Sequence, residues 1–252
     1  MKIKNRTISW FSCGAASAVA TKLAIESGEK ITIAYCEIEE EHPDNKRFLR
    51  DCEKWFGQKI EILGNDKYKR SIYEVFNKTK YLVGVAGARC TGELKKNVRK
   101  SFELPTDRQV FGYTADEQGR VDRFIDANND VDLWTILIDK GLTKQDCLAM
   151  LARAGIKLPK MYRLGYHNNN CIGCVKGGAG YWNKIRTDFP FVFEKMAKTE
   201  ERLGRTINKI TVNGEQKRVS LRDLPKSAGN YPKEIDIECG IFCMMAETEY
   251  KN

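Results

Sequence analysis

The sequence contains no long apolar run. Nothing in its 252 residues approaches the roughly 20 consecutive apolar residues that a membrane-spanning helix needs. The opening MKIKNRTISWF carries too short an apolar segment for a secretion signal. A soluble, cytoplasmic protein without a membrane partner is therefore expected. Histidine is scarce: His42 and His167 are the only two, too few and too scattered for a His-based metal centre or a catalytic triad. No low-complexity tract or long linker divides the chain. Its length suits one substantial α/β domain, or a domain with a smaller appended region, able to bury a sizeable core. Two common phosphate signatures are also missing, since no Gly-Lys-Ser/Thr closes a Walker A loop and no G-x-G-x-x-G is present. With a single C-x2-C pair, a four-cysteine zinc ribbon is not written in the spacing.

What the chain does have is positive charge and cysteine. Lys and Arg number 43 against 34 Asp and Glu, for a net charge of +9. That balance suits polyanionic partners: nucleotides, sulfonucleotides or nucleic acid. A solvated basic surface is the plainer account of any one lysine. Nine cysteines without a secretion signal argue against a disulfide framework and for metal, cluster or thiol chemistry at some of them. Cys13, Cys36, Cys52 and Cys147 lie within strand or helix patterns and are expected to act as small core hydrophobes.

Thr7–Leu23 carries the most local chemistry. Thr7 to Phe11 reads as a short buried strand and Ala16 to Ile25 as an Ala-rich helix, with Ser12, Cys13 and Gly14 between them. A small-residue turn from strand to helix brings backbone N–H groups close to an anion, and the positive end of the helix favours phosphate there. Ser12 and Ser17 add hydroxyls. The same turn also occurs in α/β proteins for packing alone. Lys30 to Ile38 is a second strand after Ser27-Gly28, which makes a βαβ unit and a parallel pair. A helix from Asn45 to Phe56, a short strand at Ile60–Leu63 and a helix from Ile72 to Lys80 follow.

Further along, Thr91 is the expected N-cap of a helix, which places Cys90 just ahead of its amino terminus, where a thiol's pKa falls. Gln109–Thr114 reads as another strand with Gly112 near its end. In the charged segment after it, Arg120 and Arg123 stand one turn apart and face one side, as a clamp for phosphate or sulfate. Asp116 and Asp122 offer them a solvated charge network instead. An apolar run at Leu133–Ile138 precedes Thr143, the N-cap of a helix to Ala154 ended by Gly155. Cys171-Ile172-Gly173-Cys174 is a tight knuckle that aims two thiolates at one metal, with a redox pair as the alternative. Gly180 to Arg202 reads as an aromatic-rich amphipathic helix region in the core, and Ile207–Val219 as a hairpin about Asn213-Gly214.

Five of these segments, taken in order, resemble the adenine nucleotide α-hydrolase superfamily. Ser12-Cys13-Gly14-Ala15-Ala16-Ser17-Ala18-Val19 is similar to its SGGxDS phosphate loop, and more so to the S-F-G-x-x-S-A-V loop of the phosphoadenosine phosphosulfate (PAPS) reductases. Ala16 stands where the ATP-cleaving members have Asp, which favours the reductase branch. Glu41 and Pro43 match part of the family's adenosine-side segment. Arg89-Cys90-Thr91 with Leu94-Lys95 resembles R-x-C-x-x-x-L-K, although Thr91 replaces the second cysteine of the cluster-bearing members. Gly112, Asp116 and Arg120 resemble G-x-x-A-x-E/D-S-x-x-R. The run from Pro159 to Cys174 resembles the superfamily's cluster or zinc segment. Glu238-Cys239-Gly240-Ile241 resembles the E-C-G-I/L-H tail of PAPS reductases and of adenosine phosphosulfate (APS) reductases, with Phe242 in place of His.

The resemblance implies an α/β fold, a Rossmann-like parallel twisted sheet with helices on both faces. A main domain over 1–180 and an extension over 181–252 packed on it are expected. It implies an adenine nucleotide (PAPS, APS or ATP) on Ser12, Cys13, Gly14, Ala15, Ala16, Ser17, Glu41, Gly112, Asp116, Arg120 and Arg123, and a nucleophilic thiolate at Cys239. Cys90, Cys171, Cys174 and Cys243 would ligate a 4Fe–4S iron–sulfur cluster, with zinc as the alternative. Expected partners are the nucleotide, a dithiol reductant or sulfur donor, and a second copy of the chain. Two rivals stand beside the sulfonucleotide reductase: ATP-dependent, AMP-forming sulfur transfer to nucleic acid, and a nucleotide sensor without catalysis.

Overall fold

The computed structural model describes residues 6–84 and 87–234. In chain order its strands are β1 (Thr7–Trp10), β2 (Ile31–Cys36), β3 (Glu61–Leu63), β4 (Val83–Gly84), β5 (Gly87–Ala88), β6 (Arg108–Val110), β7 (Asp132–Trp134), β8 (Asn208–Val212) and β9 (Glu215–Val219). The first helices are α1 (Ala15–Glu26), α2 (Asn45–Phe56) and α3 (Ile72–Thr79). Among the described residues no helix is long and apolar enough to cross a membrane.

The chain divides into two compact units interleaved along the sequence. One comprises Met1–Glu37, His42–Gly64 and Asn97–Asn169, the other Ile38–Glu41, Asn65–Lys96 and Asn170–Asn252.

The first unit holds a five-stranded sheet in the order β3-β2-β1-β6-β7, and each neighbouring pair is parallel. With helices around it, this is an α/β Rossmann-like fold. All four residues of β1 are buried, as expected of a central parallel strand covered on both faces. Its polar side chains find partners inside: Ser9 Oγ and Thr21 Oγ1 share a hydrogen bond at 2.8 Å, and Trp10 Nε1 donates to Gln109 Oε1 at 3.0 Å. Phe11, the first residue past β1, stacks on Phe48 at 6.1 Å and meets Phe56 edge-on at 5.8 Å. These rings, together worth several kcal/mol of burial, fix where the chain leaves the sheet. From β1 the chain adds β2 and β3 on one side and later β6 and β7 on the other. The carboxyl ends of β1 and β6 therefore flank the topological switch point, where open α/β sheets leave a crevice.

The expected strand at Gln109–Thr114 is shorter than its pattern suggests, because regular structure ends at Val110. Gly112 is pressed against the start of α1, so the chain leaves the sheet there. Thr143 caps the helix Lys144–Arg153 as expected, through Asp146 N and a reciprocal bond from Asp146 Oδ2.

In the second unit the aromatic-rich region forms two helices, Ala179–Asp188 and Pro190–Leu203. Pro190 has no N–H to continue the first helix, and Phe189 takes φ −139°, ψ 63° at the break. The β8–β9 hairpin forms about Asn213 and Gly214, both at positive φ (51° and 83°), as its two-residue turn requires. Thr91 is not an N-cap. Helical structure starts one turn earlier, after Ala88, runs through Arg89–Thr91 and continues as a π-helix over Gly92–Lys96. Cys90 consequently lies within the first turn rather than ahead of it.

Candidate functional site

In the first unit the turn after β1 forms a built loop. Cys13 is fully buried and adopts φ 55°, a left-handed conformation that L-residues other than Asn and Asp seldom hold. Asn169 secures it: Asn169 Nδ2 donates to Cys13 O at 2.8 Å and to Asn45 Oδ1 at 2.8 Å. Ser17 is buried, and its hydroxyl works inside the loop. It accepts from Ser12 N at 3.0 Å and Ser12 Oγ at 3.1 Å and donates to Gly14 O at 3.0 Å. Ser17 thus shapes the turn, and the exposed Ser12 is the hydroxyl that faces outward. Gly14 is the N-cap of α1. It supplies no side-chain bond, and the first turn carries no acidic residue. Ala15 is buried and Ala16 half-buried. The amino terminus of a 12-residue helix therefore opens at the switch point without a side-chain cap of its own.

Across the crevice, a Cβ added at Gly112 would lie 2.5 Å from Ser17 N and 2.8 Å from Ala16 C. Only glycine lets the end of β6 approach the loop backbone this closely. Beyond it, Thr114 N donates to Glu117 Oε2 at 3.0 Å. Arg120 is engaged locally, with Nη1 donating to Glu117 Oε1 at 2.5 Å and the guanidinium 5.1 Å from the Tyr113 ring centroid. Asp116 and Arg123 are exposed on the same stretch. His42, in this unit, is held toward its neutral form, chiefly by burial, and its Nδ1 accepts from Asp44 N at 3.0 Å.

The second unit holds Glu41, half-buried, and the cysteine segment. Cys171 and Cys174 are each 5% exposed and Cys90 8%. Gly173, at φ 78°, turns the knuckle, and a Cβ there would meet Val192 Cγ1 at 2.5 Å. Tyr181 Oη braces the turn, accepting from Gly173 N at 3.0 Å and Cys174 N at 2.9 Å and donating to Cys171 O at 3.3 Å. Glu40 O accepts from Ile172 N at 2.9 Å, while the Glu40 carboxylate accepts from Ser71 Oγ at 2.6 Å and Ile72 N at 2.9 Å. Tyr73, on the first turn of α3, is buried, and its hydroxyl has no hydrogen-bond partner. Burial, with Glu40 and Cys171 nearby, pushes that hydroxyl's pKa up.

Two buried thiols across a left-handed glycine are a suitable donor pair for a thiophilic metal. Among the described residues, however, no group of three or more His, Cys, Asp or Glu side chains is arranged to hold a metal ion. Cys239 and Cys243 lie outside the described residues. The described residues thus present a donor pair and not a closed metal site.

Several participants escaped the sequence reading. Lys95 and Lys96 are buried, on the π-helix that follows Cys90. Lysines are rarely enclosed without a polar purpose, and π-turns gather at functional sites; nothing in the local sequence marks that turn. Tyr181 looked like a core aromatic, and its hydroxyl role depends on a turn folded against it. The Thr114-x-x-Glu117 spacing was a legible cap signal. Asn169 had none.

The fold and this loop define an α/β Rossmann-like protein with an open helix amino terminus at its switch point. No protein-family model matches the chain, and no curated protein matches it.

Proposed function

We propose that the chain is an adenine-nucleotide-binding enzyme of the adenine nucleotide α-hydrolase kind, and that it reduces a sulfonucleotide (PAPS or APS) with electrons from an external dithiol. The observation that most supports it is the open amino terminus of α1 at the switch point. Its exposed Ser12 and strained Cys13 are held as a rigid anion cradle. A nucleotide phosphate rests there against Ser12, Gly14 and the Ala15 N–H. Ala16 brings no carboxylate to this loop for a magnesium ion, which favours a sulfonucleotide over ATP.

The Cys239 thiolate attacks the sulfuryl sulfur. The bond from that sulfur to the phosphate oxygen breaks, the nucleotide leaves as its phosphate, and Cys239 carries a thiosulfonate. One thiolate of the external dithiol then attacks the Cys239 sulfur and expels sulfite. The second thiol closes the reductant's disulfide and returns the Cys239 thiol. Two electrons pass from dithiol to sulfur, and no step is routed through a metal.

The test supplies the full chain with PAPS or APS and dithiothreitol or thioredoxin, and measures sulfite with the released nucleotide. Wild type should produce both in equal amounts, and Cys239→Ser should produce neither while still binding nucleotide. ATP converted to AMP and pyrophosphate only when nucleic acid is present, with sulfur found in that nucleic acid, would replace the reductase by sulfur transfer. Nucleotide binding with no turnover, unaffected by Cys239→Ser, would make the chain a sensor.

A further inference from the structure

We infer that the Tyr162 hydroxyl is a ligand-contact and specificity residue, which donates a hydrogen bond to a phosphoryl oxygen seated over Gly14. Because Gly14 has no side chain, the space a Cβ would fill is open. That point lies 3.4 Å from Tyr162 Oη, 3.5 Å from Ser12 Oγ and 4.0 Å from Ser17 Oγ. Three hydroxyls from two distant parts of the chain converge on one empty position at the positive end of α1. Ala15 N donates to Tyr162 Oη at 3.4 Å, a long and weak bond that an anion's oxygen would improve on. A hydroxyl can accept from that amide when alone and donate to a phosphate when one arrives.

A second observation points to a ligand at the same loop. Asn169 is 7% exposed, its Nδ2 holds Cys13 O, and its Oδ1 has no hydrogen-bond partner. A buried amide oxygen left unpaired is costly. It is consistent with a polar site completed by something other than the chain.

Tyr162 is also mounted to stay in place. It belongs to the short helix Lys160–Arg163, whose first amide donates to Asp44 Oδ2 at 2.9 Å. Arg163 Nη2 reaches the same oxygen at 3.3 Å, and Arg47 donates to the carbonyls of Lys157 at 2.9 Å and Leu158 at 3.2 Å. The segment carrying Tyr162 is thereby fastened to the start of α2 in the same unit. A hydroxyl positioned like this favours ligands that offer only acceptors, as a phosphate does, over an uncharged nucleoside.

Since the role rests on a nucleotide phosphate binding at α1, the experiment separates the two. Affinities of adenosine, AMP and adenosine 3′,5′-bisphosphate are measured by calorimetry for wild type, Tyr162→Phe and Gly112→Ala. Wild type should bind the phosphorylated nucleotides more tightly than adenosine. Tyr162→Phe, which keeps the ring, should shrink that preference by about ten-fold with adenosine binding unchanged. The ratio of affinities within one variant cancels any shared loss of folded protein. An unchanged ratio in Tyr162→Phe, with binding lost in Gly112→Ala, would overturn the Tyr162 role and leave the loop assignment standing. A wild type that does not prefer phosphorylated nucleotides would overturn both.

Discussion

Asp44 shows how a single residue can carry a local structure. Its carboxylate accepts from Arg47 Nε and Nη2, both at 2.8 Å, from Lys160 N and from Arg163. Hydrogen bonds from Arg47, reinforced by its charge and by Arg163, hold the carboxyl well below the usual carboxylate range against the opposing effect of burial. A depressed folded pKa contributes stability that is present above the unfolded value, about 3.9 for Asp, and is lost as pH falls through the folded value. Asp44→Asn should therefore destabilise the protein at pH 7, and its deficit should shrink as pH drops below about 4. Urea unfolding of both proteins across that range checks it. Thiols give the opposite case. Burial pushes the Cys147 thiol up to about 12 and raises that of Cys52 as well. Neither should react with an aromatic disulfide reagent at pH 8 until denaturant is added, in keeping with the expectation that they are core residues. Gly112→Ala places a Cβ against backbone, not against a movable side chain, so the loop must shift. We expect it to cost about 1–3 kcal/mol of stability and to weaken nucleotide binding more than ten-fold, the loss to be read by calorimetry.

At the scale of elements, short-range signals were readable and long-range ones were not. α2, the Thr143 cap, the Asn213-Gly214 hairpin and the Cys171 knuckle each depend on spacings of a few residues, and each lies where the pattern put it. The aromatic region misled because amphipathic periodicity continued across Pro190, while the backbone could not. What pins the hairpin was likewise invisible. Glu200, on the helix Pro190–Leu203, is 2% exposed and accepts from Ile207 N at 2.7 Å and Leu221 N at 2.6 Å, one residue on either side of the hairpin. Glu200→Ala leaves two buried N–H groups unpaired and should cost about 2–5 kcal/mol. Glu200→Gln keeps one acceptor oxygen and should cost less. Guanidinium unfolding of the two variants, followed by far-UV circular dichroism, gives the comparison.

For the whole molecule the open question is what the cysteines hold. Anaerobic preparations of wild type, Cys171→Ala and Cys243→Ala, with iron, acid-labile sulfide and zinc quantified, decide it. A cluster on Cys90, Cys171, Cys174 and Cys243 requires iron and sulfide at about four per chain, lost in both variants. Retention in Cys243→Ala would remove that residue as a ligand, zinc alone would make the site structural, and absence of metal throughout would reduce the knuckle to a Tyr181-braced turn. By itself, the sequence determined the α/β class, the strand–turn–helix at Ser12–Ser17, the glycine of the knuckle and the basic charge, because these follow from periodicity and turn chemistry within a few residues. Tertiary structure alone decided that Asn169 holds Cys13 from 156 positions away, that Tyr162 stands over Gly14 with its hydroxyl on Ala15 from 147 positions away, and that two units interleave along the chain. Such contacts form only when packing closes long loops and a buried polar atom must find whichever partner the fold brings to it.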